Sequence, residues 1–144
     1  MKKTPRMLMR LSLSHFIILL ILGLPCSIKA QNAITYPVDQ NWKMIFESPT
    51  HYEVSVRVIK CNPDTPAQVQ VELFNEGTGI QTARFKLTIS NSATNETVVK
   101  EISHSMPLGA LIMASCDNNE QSLRINLPSG WNLSTVQSTL TYMP

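Results

Sequence analysis

YEVSVRVIKC, Tyr52–Cys61, is the stretch from which the rest of the chain is read. Tyr52, Val54, Val56 and Val58 fall on one parity and Glu53, Ser55 and Arg57 on the other. That period of two lays an apolar face and a wet face along a β-strand. Three valines and a tyrosine suit a pleated, half-buried surface. Cys61 shares its parity with Ile59, Arg57, Ser55 and Glu53, the wetter side. Two arrangements follow from this. Either a bulge near Ile59 and Lys60 swings Cys61 inward, or a bridge from Cys61 staples the margin of the strand, and the marginal staple is preferred.

Working outward, Trp42, Met44 and Phe46 alternate with Lys43 and Glu47 and predict a strand that stops at Ser48-Pro49-Thr50. NPDTPA, residues 62–67, is a connection, because its prolines deny a ladder its donors. QVQVELFN, 68–75, and ARFKLTIS, 83–90, both alternate, with EGTG at 76–79 between them. They predict a hairpin with one wet face and with Gly77 and Gly79 at positive φ. ETVVKEIS, 96–103, reads as a strand whose buried face stays open. MPLGALIMASC, 106–116, is a buried strand or a short helix, and Pro107 and Gly109 favour strand. SLRINLP, 122–128, and STVQSTLTYM, 134–143, complete the set, separated by turns at DNNE and PSGWN. The expectation is all-β: one antiparallel β-sandwich of 7–8 strands over residues 42–144, with 31–41 as a loose leader or a first edge segment.

The first 30 residues read differently. Lys2, Lys3, Arg6 and Arg10 precede an apolar run, Leu11–Pro25, and then SIKA, the order of a secretory signal peptide cleaved after Ala30. A lipid anchor on Cys26 is the lesser reading, since Pro25 stands where a small residue belongs. Without the signal, seven basic residues face ten acidic ones, a net charge of −3. The basic balance of the precursor therefore belongs to the signal and gives no reason to expect nucleic-acid binding. No further apolar run of spanning length follows, so no transmembrane segment is expected in the mature chain. The predicted location is secreted or periplasmic. Cys61 and Cys116 are then the only cysteines, and in an oxidising compartment they predict one disulfide.

The search for chemistry returns little. His51 and His104 are isolated, with no metal-ligand spacing around them. Ser103 and Ser105 flank His104, but neighbours on a strand point to opposite faces. Glu53, Glu72 and Glu101 occupy wet positions of strands, where a solvated face needs charge. Asp117, Asn118, Asn119 and Glu120 read as a turn and lack the spacing of a calcium loop. No catalytic, cofactor-binding or metal-binding residue is predicted. Trp131, in SGWN, is the one candidate ligand contact, weighed against a structural plug that folds back onto the core. Asn95 and Asn132 begin glycosylation triplets, which matter only in a host with that machinery, and the MKKTPR start looks bacterial.

Two cysteines 55 residues apart in an exported all-β domain of this size resemble the immunoglobulin-like β-sandwich domain of small secreted bacterial proteins. In that family the bridge pins two sheets beside a core tryptophan, and a tyrosine stands two residues before the second cysteine. Here no Trp lies between the cysteines, and Ala114 holds the tyrosine place. The resemblance implies adhesion, surface assembly or ligand display, through a protein or glycan partner not identified by the sequence. A secreted inhibitor or an accessory subunit of an envelope complex is the alternative, and a small hydrolase ranks last.

Overall fold

In the computed structural model, which describes residues 35–118 and 120–144, the opening stretch is a strand with every second residue buried. The predicted signal peptide, its cleavage after Ala30 and Cys26 lie outside the described residues. Nine strands follow in chain order: β1 Thr35–Pro37, β2 Lys43–Glu47, β3 Tyr52–Ile59, β4 Gln68–Asn75, β5 Gln81–Asn91, β6 Thr97–Met106, β7 Leu111–Met113, β8 Arg124–Asn126 and β9 Val136–Tyr142. Two 3-10 turns, Gln121–Leu123 and Leu133–Thr135, precede β8 and β9. All pairings are antiparallel. One sheet runs β1-β9-β5-β6; the other runs β2-β3-β4, with β7 and β8 both pairing β4 at different places.

Val54, Val56 and Val58 of β3 and Val69, Val71 and Leu73 of β4 form the inner layer of the five-stranded sheet. Phe85, Leu87 and Ile89 of β5, Ile102 of β6 and Val136 of β9 line the other sheet in the same buried cluster. Tyr52 plugs one end; its hydroxyl donates to the Arg84 carbonyl over 3.5 Å, and burial pushes its pKa up to about 12.

Three expectations change. QVQVELFN and ARFKLTIS are not a hairpin: β4 pairs β3, and β5 pairs β6 and β9 in the opposite sheet. Alternation reports an inner face, which strands on either side of a sandwich share, so it cannot say which sheet a strand joins. The glycines between them are also not at positive φ, which among glycines belongs to Gly109 and Gly130. Gly77 answers a different need, because a Cβ there would lie 2.9 Å from the Thr50 carbonyl oxygen and 2.8 Å from Gln81 Nε2. In β2 the alternation breaks. The register slips between Met44 and Phe46, so Ile45 turns inward at 6% exposure while Met44 stands out at 53%. Of the two readings of 31–41, the edge segment is the one found, at 35–37, tied on by Val38 N–H donating to Val136 O at 3.0 Å.

Candidate functional site

Among the described residues four sheet margins have no further strand beside them, and three are blunted. β1 has three residues and ends in Pro37, β2 carries the bulge, and β7 and β8 have three residues each. Short strands, proline and bulges are the usual devices against edge pairing. β6 has none of them. Its ten residues pair with β5 in unbroken register from Gln81↔Met106 to Ser90↔Thr97.

The phase of the ladder shows which of its backbone groups are free. Asn91 N–H donates to Glu96 O, and Met143 N–H donates to Arg84 O. In β5 the odd residues therefore face β6 and the even residues face β9. By the same alternation Val98, Lys100, Ile102 and His104 spend their backbone groups on β5, whereas Thr97, Val99, Glu101, Ser103 and Ser105 aim theirs outward. All five outward residues are exposed, Val99 at 54%. Among the described residues none of the five makes a backbone bond to anything else.

The inner side of β6 carries one charge. Lys100 stands level with Leu87 on the core side and is half-buried; Nζ donates to the carbonyl oxygens of Gln121 at 2.8 Å and Arg124 at 2.7 Å, at the margin of the other sheet. Burial holds its pKa below the usual lysine value. Beside it lies a cavity of about 280 Å³ lined by Gln68, Lys100, Gln121, Arg124 and Asn126. Arg124 Nη2 donates to the carbonyl oxygens of Ser115 and Asn118. Its Nε is buried and has no acceptor among the described residues.

The disulfide is present between Cys61 and Cys116. It lies against the outer face of β4, with Gln68 Nε2 2.8 Å from Cys61 Sγ and Gln70 Nε2 3.8 Å from both sulfurs. Parity placed Cys61 on this side, so the marginal staple is the arrangement found: it ties the ends of β3 and β7 across the strand they share. Arg57 closes the same face, donating to Gln70 Oε1 through Nε at 3.0 Å and Nη2 at 2.8 Å, beneath the Trp42 ring at 4.4 Å.

Trp131 is 9% exposed, and Nε1 donates to Glu96 Oε2 at 2.8 Å. Its edge helps line a cavity of about 370 Å³ with Lys60, Pro63, Pro66, Pro128 and Leu133. At 9% exposure most of the ring is buried, and what remains open borders this cavity. Glu53 and Glu72 share the outer face of the five-stranded sheet as diagonal neighbours, since Ser55 opposes Glu72, and Glu101 stands on the other sheet. Burial raises both pKa values; Glu76, Glu47 and Glu72 add to the effect on Glu53, while Arg57 opposes it on Glu72.

His51 and His104 differ in setting. His51 sits exposed in a turn at φ 63°, and His104 is half-buried on the inner side of β6. Asn118 Oδ1 accepts from Ser115 N–H and Glu120 N–H, the bonding of a turn. No group of three or more potential metal ligands occurs among the described residues. No helix among them is long and apolar enough to cross a membrane. Sequence reading missed Lys100, Arg124 and the open edge, although the inward lysine in TVVKEISHSM was a signal: a charge on the apolar parity marks an edge strand. Compared with protein-family models, curated proteins and solved structures, the chain matches none.

Proposed function

We propose that this protein is an exported, non-enzymatic β-sandwich module that binds a protein partner by taking a strand of that partner onto β6. One observation carries the reading: five alternate residues, Thr97 to Ser105, aim their backbone groups outward along an edge without proline or bulge. Main-chain pairing of this kind supplies affinity without a preformed pocket. The buried Trp131 ring argues for protein over glycan as the partner. Work outside the cytoplasm, in the envelope or beyond it, is supported by the disulfide together with the signal-like start. An immunoglobulin-like reading draws support from the paired antiparallel sheets, and the intrasheet bridge departs from it. A role as an accessory subunit of an envelope complex fits the same edge, since strand addition is also how subunits join.

The test is a photo-crosslinking residue placed at Ser103 on β6 and, as control, at the exposed Thr141 on β9 of the same sheet, in cells that export the full chain. A discrete adduct from Ser103 and none from Thr141 is the expected outcome. Equal labelling from both sites, or none from either, contradicts the reading.

A further inference from the structure

The geometry points to a specificity device at this edge: we infer that the notch formed by Lys100 and Arg124 receives a carboxylate, carried by an aspartate or glutamate on the strand that adds to β6. The inference rests on the strand-addition reading above and names the chemistry of its partner.

The notch contains two cations, Lys100 and Arg124, and three amides, Gln68, Gln121 and Asn126, and no acid lines it. The acceptors now serving Lys100 are neutral carbonyl oxygens, and Arg124 Nε has none among the described residues. A buried N–H without an acceptor is costly and is a place where an incoming acceptor gains most. Position supplies the rest. Lys100 spends its backbone on β5, so in an antiparallel addition it forms a non-hydrogen-bonded pair with the new strand, in which side chains approach most closely. The facing residue points toward the core side, where Nζ already reaches the margin of β8. A carboxylate there meets a half-desolvated ammonium, and a lysine in that place opposes it while an apolar residue leaves it without a counter-charge. Without such a strand, the same inward charge keeps two copies of β6 from pairing indiscriminately.

Two blocked peptides of alternating Thr and Val, alike except for one central Glu or Gln on the inward parity, are titrated into the mature protein and followed by amide NMR. The expected result is shifts along β6 with the Glu peptide binding at least about five-fold more tightly, a preference that Lys100→Gln erases and Lys100→Arg keeps. Equal affinity of the two peptides, or a preference that survives Lys100→Gln, overturns the inference and leaves strand addition standing. Binding of neither peptide at β6, or binding unaffected by Glu101→Pro, overturns strand addition itself and the inference with it. Free acetate is the last arm: if it saturates the notch and abolishes the Glu preference while both peptides still bind, the carboxylate site is supported. If acetate alone binds there and the peptides shift only residues outside β6, the partner strand is not the source of the carboxylate, and the inference fails.

Discussion

Lys100 of the four-stranded sheet donates to the Arg124 carbonyl of the five-stranded sheet over 2.7 Å, so a single charged side chain on an edge strand spans the open side of the sandwich. An inward lysine costs core packing. It also makes β6 a poor template for a second copy of itself. Two properties of one residue, a guard and a selector, follow from one geometry.

Lys100→Val is expected to leave the monomer folded and to promote self-association through β6. Sedimentation velocity at rising concentration checks it, and Lys100→Val combined with Glu101→Pro is expected to return to monomer. A Lys100→Val protein that stays monomeric at all concentrations shows that the lysine is no guard.

Asn75 is the keystone of the opposite end. Buried, it donates through Nδ2 to Gly79 O at 2.8 Å, Met106 O at 3.0 Å and Pro107 O at 2.8 Å, and accepts at Oδ1 from Gly77 N–H at 2.9 Å. Asn75→Ala strands these loop groups and is expected to cost about 3 kcal/mol in urea unfolding. A loss below about 1 kcal/mol shows that water or local rearrangement replaces the amide.

Glu53 and Glu72 have pKa values raised above the ordinary 4.5, each mainly by burial. The folded state therefore binds their protons more tightly than the unfolded chain does. Stability from this source is present below the unfolded pKa and is lost as pH rises through the raised folded values. Glu53→Gln and Glu72→Gln are accordingly expected to raise Tm at pH 7, with the gain shrinking as pH falls toward 4. A gain that grows on acidification contradicts the sign.

Reducing the Cys61–Cys116 bridge, which closes a separation of 55 residues, is expected to cost about 4 kcal/mol in the chain-entropy account. Denaturant midpoints with and without reductant, alongside the double Cys→Ser variant, measure it. Since the bridge lies outside the inter-sheet core, the reduced protein is expected to keep its strand circular dichroism at low denaturant; collapse of that signal contradicts a marginal staple.

How far the chain could be read in advance depended on what local periodicity encodes. YEVSVRVI was legible because β3 is central, unbulged and buried on one face only, so parity alone decided the fate of Tyr52, Val54, Val56 and Val58. Cys61 followed from the same parity. WKMIFE was legible only in part, since one inserted residue, Ile45, turns inward and puts Met44 on the opposite face from Phe46, which still packs against the core. The partners of β4 and β5 were hidden for a different reason: each pairs with the sequence neighbour on its other side, β3 or β6, and the EGTG link allows either a hairpin or a crossing between sheets. The candidate site was the least legible part. An open edge is a property of what fails to pair, and the backbone phase of Val99, Glu101 and Ser103 emerges only once Asn91–Glu96 and Arg84–Met143 are known.

The most direct test of the account is a pair of proline substitutions one residue apart on β6. Glu101 aims its N–H outward and Ile102 aims its N–H at β5, so proline at 101 removes a donor only from the free edge, and proline at 102 breaks the ladder. Glu101→Pro is expected to keep Tm near the parent value while eliminating the Ser103 crosslink to the partner, and Ile102→Pro to unfold the domain. A Glu101→Pro protein that folds and still forms the Ser103 adduct at the parent level contradicts the claim that β6 receives a strand.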